Sequence, residues 1–275
     1  DYFTVPLEVS AIAQAFSRGS AQDQNSNSKV LAFTSASAGD GASTIALNVA
    51  YCFAQAQQKT VLVDMDYQFG MTAKNLDLSS PFGIKELLDH PDRGIDTTLI
   101  ERMVVTYKEK LDVMAAPNGL HFYPMVQPEV IRDLIQSLKK QYDFIIFDLP
   151  HLWTPWMSAA YNHSDTIVLI AQLWLKSVTH ATRQLHAWRE AGINAQKVNV
   201  CINRSGAKFK EGVTPRDFER VCDKKIKCYF PNDIRTAATA EQEGSTIMEL
   251  KRSKLAEEIE TLAQFLGKDI KINVS

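Results

Sequence analysis

Residues 34–44 read TSASAGDGAST and follow the apolar run VLAF at residues 30–33. Apolar residues with helical spacing begin directly afterwards, at Ile45. Strand, glycine loop and helix in this order form the context in which phosphate-binding loops occur. A working loop of this kind ends in Gly-Lys-Ser/Thr, whereas this one ends in Gly41-Ala42-Ser43-Thr44. The sequence therefore predicts the backbone of a phosphate site without its lysine.

The missing lysine separates binding from catalysis. Gly39 and Gly41 allow backbone N–H groups to converge on phosphate oxygens, and the start of the helix adds partial positive charge. Ser43 offers a hydroxyl for Mg²⁺. A lysine would stabilise the negative charge that develops during phosphoryl transfer, and Ala42 cannot. Loss of one charge-stabilising donor lowers the rate of an enzyme roughly 10²–10³-fold. We expect binding to suffer less than catalysis; the alternative is a Gly/Ser-rich turn without a ligand.

Three later segments end in polar residues after an apolar strand. Residues 60–66 read TVLVDMD, residues 143–150 read DFIIFDLP and residues 198–204 read VNVCINR. In an open parallel sheet, ligands bind beyond the carboxyl ends of the strands. A strand-end aspartate can also be a plain helix cap. Because three such ends follow a glycine loop, we expect one shared crevice.

The chain resembles the MinD/ParA ATPases. Residues 37–44 align with the deviant Walker A loop of that family, Lys-Gly-Gly-X-Gly-Lys-Thr-Thr, and the likeness runs from about Lys29 to Leu266. Within the family the chain is most similar to the CpaE/TadZ pilus-assembly branch. The strings that carry this likeness are VDMDYQFG (63–70), DLPH (148–151), AQL (171–173), INR (202–204) and FPND (230–233). The resemblance implies ATP or ADP and Mg²⁺ as ligands.

The resemblance also implies a nucleotide site. Asn203 matches the residue that reads the adenine edge, and Asn232 and Asp233 match positions near the base or ribose; Asn203 could instead only cap the following turn. The expected nucleotide-binding set is Ser37, Ala38, Gly39, Asp40, Gly41, Ala42, Ser43, Thr44, Asn203, Arg204, Pro231, Asn232 and Asp233.

A metal site is implied at the neighbouring strand ends. Ser43 is expected to bind Mg²⁺ directly, and Asp64 and Asp148 are expected to hold its water shell, since Mg²⁺ keeps several waters. Asp66 is the candidate to orient an attacking water if hydrolysis occurs.

The sequence departs from the family pattern at two lysines. The signature lysine falls at Ser37, which is too short and uncharged to cross a dimer interface, and the second lysine falls at Ala42. Asp40 would add negative charge near the phosphates unless its side chain points away. We therefore expect weak or absent hydrolysis. A slow but genuine ATPase of the partition or MinD type and a nucleotide-free scaffold remain alternatives.

The family likeness further implies a homodimer. Its interface is expected to surround residues 36–41 and the segment after Asp148, including Trp153 and Trp156. The implied role is to position or assemble a type IVb (Flp/Tad) pilus or secretion machine. The implied location is cytoplasmic, at the cell pole and peripheral to the inner membrane, with components of that machine as partners.

Composition and patterning complete the prediction. The 275 residues carry a net charge of −2 and a pI near 6.3, which gives no strong nucleic-acid signal. The longest apolar run, residues 166–175, is far below the ~20 residues of a membrane helix.

We expect a helical connector at 1–19, a polar linker at 20–29 and an ATPase domain at 30–275. Strands and helices alternate from Val30 onward, which predicts an α/β fold: a doubly wound, mostly parallel sheet with helices on both faces.

Overall fold

The computed structural model describes residues 27–90, 94–120, 126–206, 212–268 and 270. The connector expected at 1–19 and most of the linker expected at 20–29 lie outside these residues. Lys29, the last residue of the expected linker, already belongs to the first strand.

The described residues form one sheet of eight strands. In chain order these are β1 (Lys29–Ser35), β2 (Thr60–Asp64), β3 (Val104–Lys108), β4 (Leu111–Met114), β5 (Phe144–Leu149), β6 (Thr166–Ala171), β7 (Val198–Ser205) and β8 (Ile226–Pro231). The spatial order is β3-β4-β2-β5-β1-β6-β7-β8. The β3–β4 pair is antiparallel and the other pairs are parallel. The carboxyl ends of seven strands therefore face the same edge.

Helices cover both faces of this sheet. In chain order they are α1 (Ala42–Gln55), α2 (Thr72–Asn75), α3 (Ile84–Asp89), α4 (Thr97–Met103), α5 (Pro128–Lys139), α6 (Pro155–His163), α7 (Leu175–Glu190), α8 (Pro215–Cys222), α9 (Ile234–Gln242) and α10 (Lys254–Gly267). In the described ranges, no helix has the length and apolar composition that a bilayer span requires.

Strand β1 shows how the two cores arise. Successive side chains of a strand point to opposite faces of the sheet. Leu31 and Phe33 belong to the core beneath α1 and α10, whereas Val30 and Ala32 belong to the core beneath α5, α6 and α7. Both sets are buried, which explains the continuous apolar runs of the sequence. The predicted doubly wound fold is confirmed.

The central position of β1 places the glycine loop. Strand β1 pairs with β5 on one side and β6 on the other. Residues 36–41 leave its carboxyl end and lead into α1. The loops after β2, β5, β6, β7 and β8 leave the same edge, because these strands run parallel to β1. Two short helices, α2 and α4, were not predicted from the sequence.

Candidate functional site

The glycine loop has left-handed backbone at two positions. Gly39 has φ +83° and Gly41 has φ +99°, values that side chains rarely tolerate. The surroundings of the two glycines differ. A Cβ atom on Gly41 would lie 2.4 Å from Asn203 Nδ2, whereas one on Gly39 would meet nothing within 4 Å. Gly41 is thus required by both conformation and close approach.

Helix α1 begins at the residue that replaces the lysine. The Ala42 N–H donates to Ser35 Oγ at 3.2 Å, and the Ala42 side chain is buried in the core beneath α1. Ser43, the next residue, is exposed and its hydroxyl donates to the Asp148 carboxylate. The start of α1 therefore presents a hydroxyl and a helix N-terminus, with a buried methyl group at position 42.

Asp40 does not face outward from the loop. Its side chain is fully buried. One carboxylate oxygen, Oδ2, accepts from Ser177 Oγ at 2.7 Å and from the Ser37 N–H at 2.9 Å. The other, Oδ1, accepts from Gln172 Nε2 at 3.0 Å. Burial raises the pKa of Asp40, while these hydrogen bonds oppose the rise. The carboxylate thus lies beneath the loop, the alternative orientation considered for it.

Ser37, at the position of the signature lysine, also has its side chain turned inward. Ser37 is buried, and its Oγ lies 2.7 Å from His180 Nδ1 on α7. A short, buried hydroxyl at this point cannot extend to a second molecule. Position 37 is instead part of the contact between the loop and α7.

Asn203 binds the loop from the carboxyl end of β7. Its Nδ2 donates to the Asp40 carbonyl at 2.8 Å, and its Oδ1 accepts from the Arg204 N–H at 2.8 Å. Both polar atoms of the amide therefore have partners within the protein. Adenine recognition by Asn203 stays a prediction, and in this structure the side chain holds the loop against β7.

A pair of carboxylates lies beside the start of α1. Asp64 on β2 and Asp148 on β5 are paired in register and almost fully buried. Burial raises the pKa of Asp64 to about 6, although hydrogen bonds from the Thr72 and Asp66 N–H groups lower it in part. Burial and the charge of Asp64 raise the pKa of Asp148 well above its usual range, although the Ser43 hydroxyl opposes this. Two adjacent buried carboxylates favour a bound cation or a shared proton.

The donor set fits Mg²⁺. A serine hydroxyl and two carboxylates are hard oxygen ligands, and Mg²⁺ takes few protein ligands and keeps several waters. The described residues contain no cluster of three or more His, Cys, Asp or Glu side chains arranged to hold a metal. A magnesium ion here would therefore depend on Ser43, water and bound phosphates as much as on Asp64 and Asp148.

Gly70 leaves room for the Asp64 carboxylate. A Cβ atom on Gly70 would lie 2.5 Å from one Asp64 oxygen and 2.3 Å from the Ala116 side chain. The sequence alone predicts no role for this glycine, although it ends the string VDMDYQFG. Its contact with Asp64 explains why that string ends in the smallest residue.

Asp66 caps the turn that follows β2. Its Oδ1 accepts from the N–H groups of Gln68 and Phe69, at 3.3 and 3.1 Å. These bonds give the residue a structural role in a turn rather than at a helix N-terminus. A role in orienting water stays a prediction that would fall on the other oxygen.

A cavity of about 240 Å³ opens beside the loop. Its lining includes Gly41, Thr44, Asn203, Arg204, Pro231, Asn232 and Asp233, all members of the expected nucleotide set. Asp233 also caps α9, since its carboxylate accepts from the Thr236 N–H at 3.1 Å and the Thr236 hydroxyl at 2.7 Å. The cavity places the predicted base and ribose residues next to the predicted phosphate loop.

The two tryptophans after Asp148 have different environments. Trp153 is 47% exposed and stacks on Tyr161 with 6.2 Å between ring centroids. Trp156 is 2% exposed and belongs to the core beneath α6. The expectation that Trp156 forms part of an interface is therefore wrong, because its first-turn position on α6 directs it into the core.

The contribution of α7 to the loop is not predicted from the sequence. Ser177 and His180 contact the loop from this helix, and Trp174 at its N-cap hydrogen-bonds Asp40. All three lie more than 130 positions after the loop in the chain. Ser177 is buried in the structure, but no local pattern of the sequence links it to the loop.

Comparison with known proteins agrees with this geometry. The family model of the AAA domain, AAA_31, matches residues 28–191. The chain belongs to this family. It is 22% identical over 252 residues to the septum site-determining protein MinD of Thermotoga maritima, covering 86% of each chain. These matches support the MinD/ParA group of P-loop proteins.

Two solved structures share the fold. A ParA family ATPase from Chlorobium tepidum superposes with a TM-score of 0.77 at 25% identity, covering 86% of this chain and 98% of that one. The septum site-determining protein MinD of Pyrococcus horikoshii, complexed with Mg-ADP, superposes with a TM-score of 0.72 at 20% identity, covering 88% and 96%. The second likeness concerns the fold alone.

Proposed function

We propose that this chain binds ATP or ADP with Mg²⁺ and acts through nucleotide-dependent association, with weak or no hydrolysis. The observation that carries the proposal is the start of α1. There an intact glycine loop, with φ +83° and +99° at its glycines, leads to a buried Ala42 in the lysine position. Backbone donors and the helix N-terminus favour binding of phosphates. The lysine that would stabilise negative charge in the transition state is absent.

The residues around the loop have separate roles in this proposal. The cavity beside Asn203 and Asp233 would take the base and ribose. Ser43, Asp64 and Asp148 would hold Mg²⁺, which neutralises phosphate charge when bound. The raised pKa values of the two aspartates support this role, because a cation would relieve the repulsion between them. The Mg-ADP in the related MinD structure also supports these ligands.

Equilibrium binding and single-turnover hydrolysis test the proposal. Titration calorimetry should detect Mg²⁺-dependent binding of ADP and ATP, while single-turnover assays should show little hydrolysis. Asp148→Ala should abolish the Mg²⁺ dependence. Equal affinity with and without Mg²⁺, unchanged in Asp148→Ala, would contradict the metal assignment. Robust turnover abolished by Asp66→Asn would favour the slow ATPase, and no nucleotide binding at all would favour the scaffold.

The association partner that we propose is a second copy of this chain. Large exposed apolar side chains gather after the carboxyl ends of β2, β5 and β6: Phe69 (71% exposed), Leu152 (42%), Trp153 (47%), Trp174 (41%) and Leu175 (75%). Their segments leave the same edge of the sheet as residues 36–41, where the homodimer interface is expected. Apolar and aromatic residues of this kind form the centres of interfaces. Since Ser37 offers no bridging charge, the dimer should depend less on ATP than one held by a lysine.

The cellular role that we propose follows the CpaE/TadZ likeness. The protein would position or assemble a type IVb pilus or secretion system at a cell pole, on the cytoplasmic side of the inner membrane. The strings at residues 63–70 and 148–151 support this branch. A fluorescent fusion should form polar foci that depend on the pilus genes, and Asp148→Ala should disperse them. Uniform fluorescence of the folded wild-type fusion would count against the pilus role.

A further inference from the structure

The glycine loop is held from below by one acidic residue. Asp40 accepts hydrogen bonds from the Ser37 N–H, Ser177 Oγ and Gln172 Nε2. Its own N–H donates to the Ser37 carbonyl at 3.1 Å, which closes the turn in both directions. Its carbonyl accepts from Asn203 Nδ2. Asp40 thus links the loop to itself, to the β6–α7 junction and to β7.

We propose that Asp40 is a positioning residue for the phosphate loop. Its carboxylate holds residues 37–41 in the arrangement that receives nucleotide phosphates, in a loop that has no lysine to do so. The inference rests on the proposed function, since it requires that this loop receives the phosphates. It concerns a side chain that does not touch the nucleotide and acts through the backbone it holds.

A carboxylate suits this place because its surroundings consist of donors. An ionised aspartate only accepts hydrogen bonds, through two oxygens with about four lone pairs. Two donors approach Oδ2, and Gln172 approaches Oδ1. The Trp174 side chain also donates to the carboxylate. Removal of the carboxylate would leave buried donors without an acceptor, which costs more than the bonds themselves contribute.

Asparagine is a matched replacement with a different expectation. Its carbonyl oxygen can take the place of Oδ2 and keep the bonds from Ser37 and Ser177. Its amide would then face Gln172, whose side-chain amide can turn its oxygen toward it at the loss of its 3.4 Å bond to the Gly39 carbonyl. Asp40→Asn therefore keeps most of the geometry without the charge, whereas Asp40→Ala removes both.

The test compares two ligands that differ only in phosphate. Adenosine occupies the base and ribose cavity, and Mg-ADP also requires the loop. Asp40→Ala should weaken Mg-ADP binding about 10- to 100-fold, the equivalent of one or two buried bonds. Adenosine binding, measured by ligand-observed NMR, should change less than about twofold. Asp40→Asn should restore Mg-ADP affinity to within about threefold of the wild type.

The outcomes separate the positioning role from a general structural one. Equal losses of Mg-ADP and adenosine affinity, or no loss of either, would overturn the inference while leaving the proposed function standing. A wild type that binds no ADP would overturn both. If Asp40→Ala does not fold, Ser177→Ala removes one donor to the same carboxylate. That variant should give a smaller but equally selective loss, about threefold for Mg-ADP and none for adenosine.

Discussion

Replacement of Gly41 by alanine should destabilise the protein more than the same change at Gly39. Both glycines have left-handed backbone, so each substitution introduces strain of about 1–2 kcal/mol. Only at Gly41 does the new Cβ atom collide with a neighbour, 2.4 Å from Asn203 Nδ2. The Asn203 amide must then move and lose its 2.8 Å bond to the Asp40 carbonyl, worth about 1 kcal/mol. The unfolding free energy should fall by about 2–3 kcal/mol in Gly41→Ala.

Urea denaturation of four variants measures this difference. Gly39→Ala is the matched control, since it carries the strain without the collision and should lose about 1–2 kcal/mol. In an Asn203→Ala background the collision is absent, so Gly41→Ala should cost no more than Gly39→Ala does. The double-mutant cycle between positions 41 and 203 should give a coupling energy of about 1 kcal/mol.

Two results would refute this reasoning. Equal losses in Gly41→Ala and Gly39→Ala would show that the approach of Asn203 does not constrain the loop. If Gly41→Ala loses the same unfolding free energy in the Asn203→Ala background, the loss comes from backbone strain alone.

Three further predictions concern charge and association. Ala42→Lys should tighten ATP binding by about 1.5–3 kcal/mol in titration calorimetry, because it adds a charge-assisted contact; unchanged affinity would place the position 42 side chain out of reach of the phosphates. The raised pKa of Asp64 means that the folded state loses stability as pH rises from about 4 to about 6. Asp64→Asn should reduce this fall in urea denaturation without Mg²⁺, and a parallel pH profile would contradict the assignment. Leu175→Glu should weaken the dimer in sedimentation velocity without changing the unfolding free energy, since the side chain is 75% exposed; a strictly monomeric wild type would exclude the interface.

The strand and loop positions could be predicted from the sequence because their signals are local. Apolar runs such as residues 144–147 are continuous since both faces of the sheet are covered. Two glycines between a strand and a helix mark the loop, as their φ values confirm. The absence of lysine at positions 37 and 42 is likewise a property of the sequence alone. Helices α2 and α4 are not predicted because segments of four and seven residues show little helical periodicity.

Side-chain directions were decided by tertiary structure. The loop sequence left open whether Asp40 faces outward, and the answer came from Ser177, 137 residues away, and from Gln172. The resemblance predicts that Asn203 reads adenine, and the structure adds a bond from its amide to the Asp40 carbonyl, next to Gly41. Trp156 follows Trp153 by three residues, yet only Trp153 is exposed. In each case the direction of the side chain depends on hydrogen-bond donors or apolar surface from segments that are distant in the sequence. A local sequence pattern does not identify those neighbours.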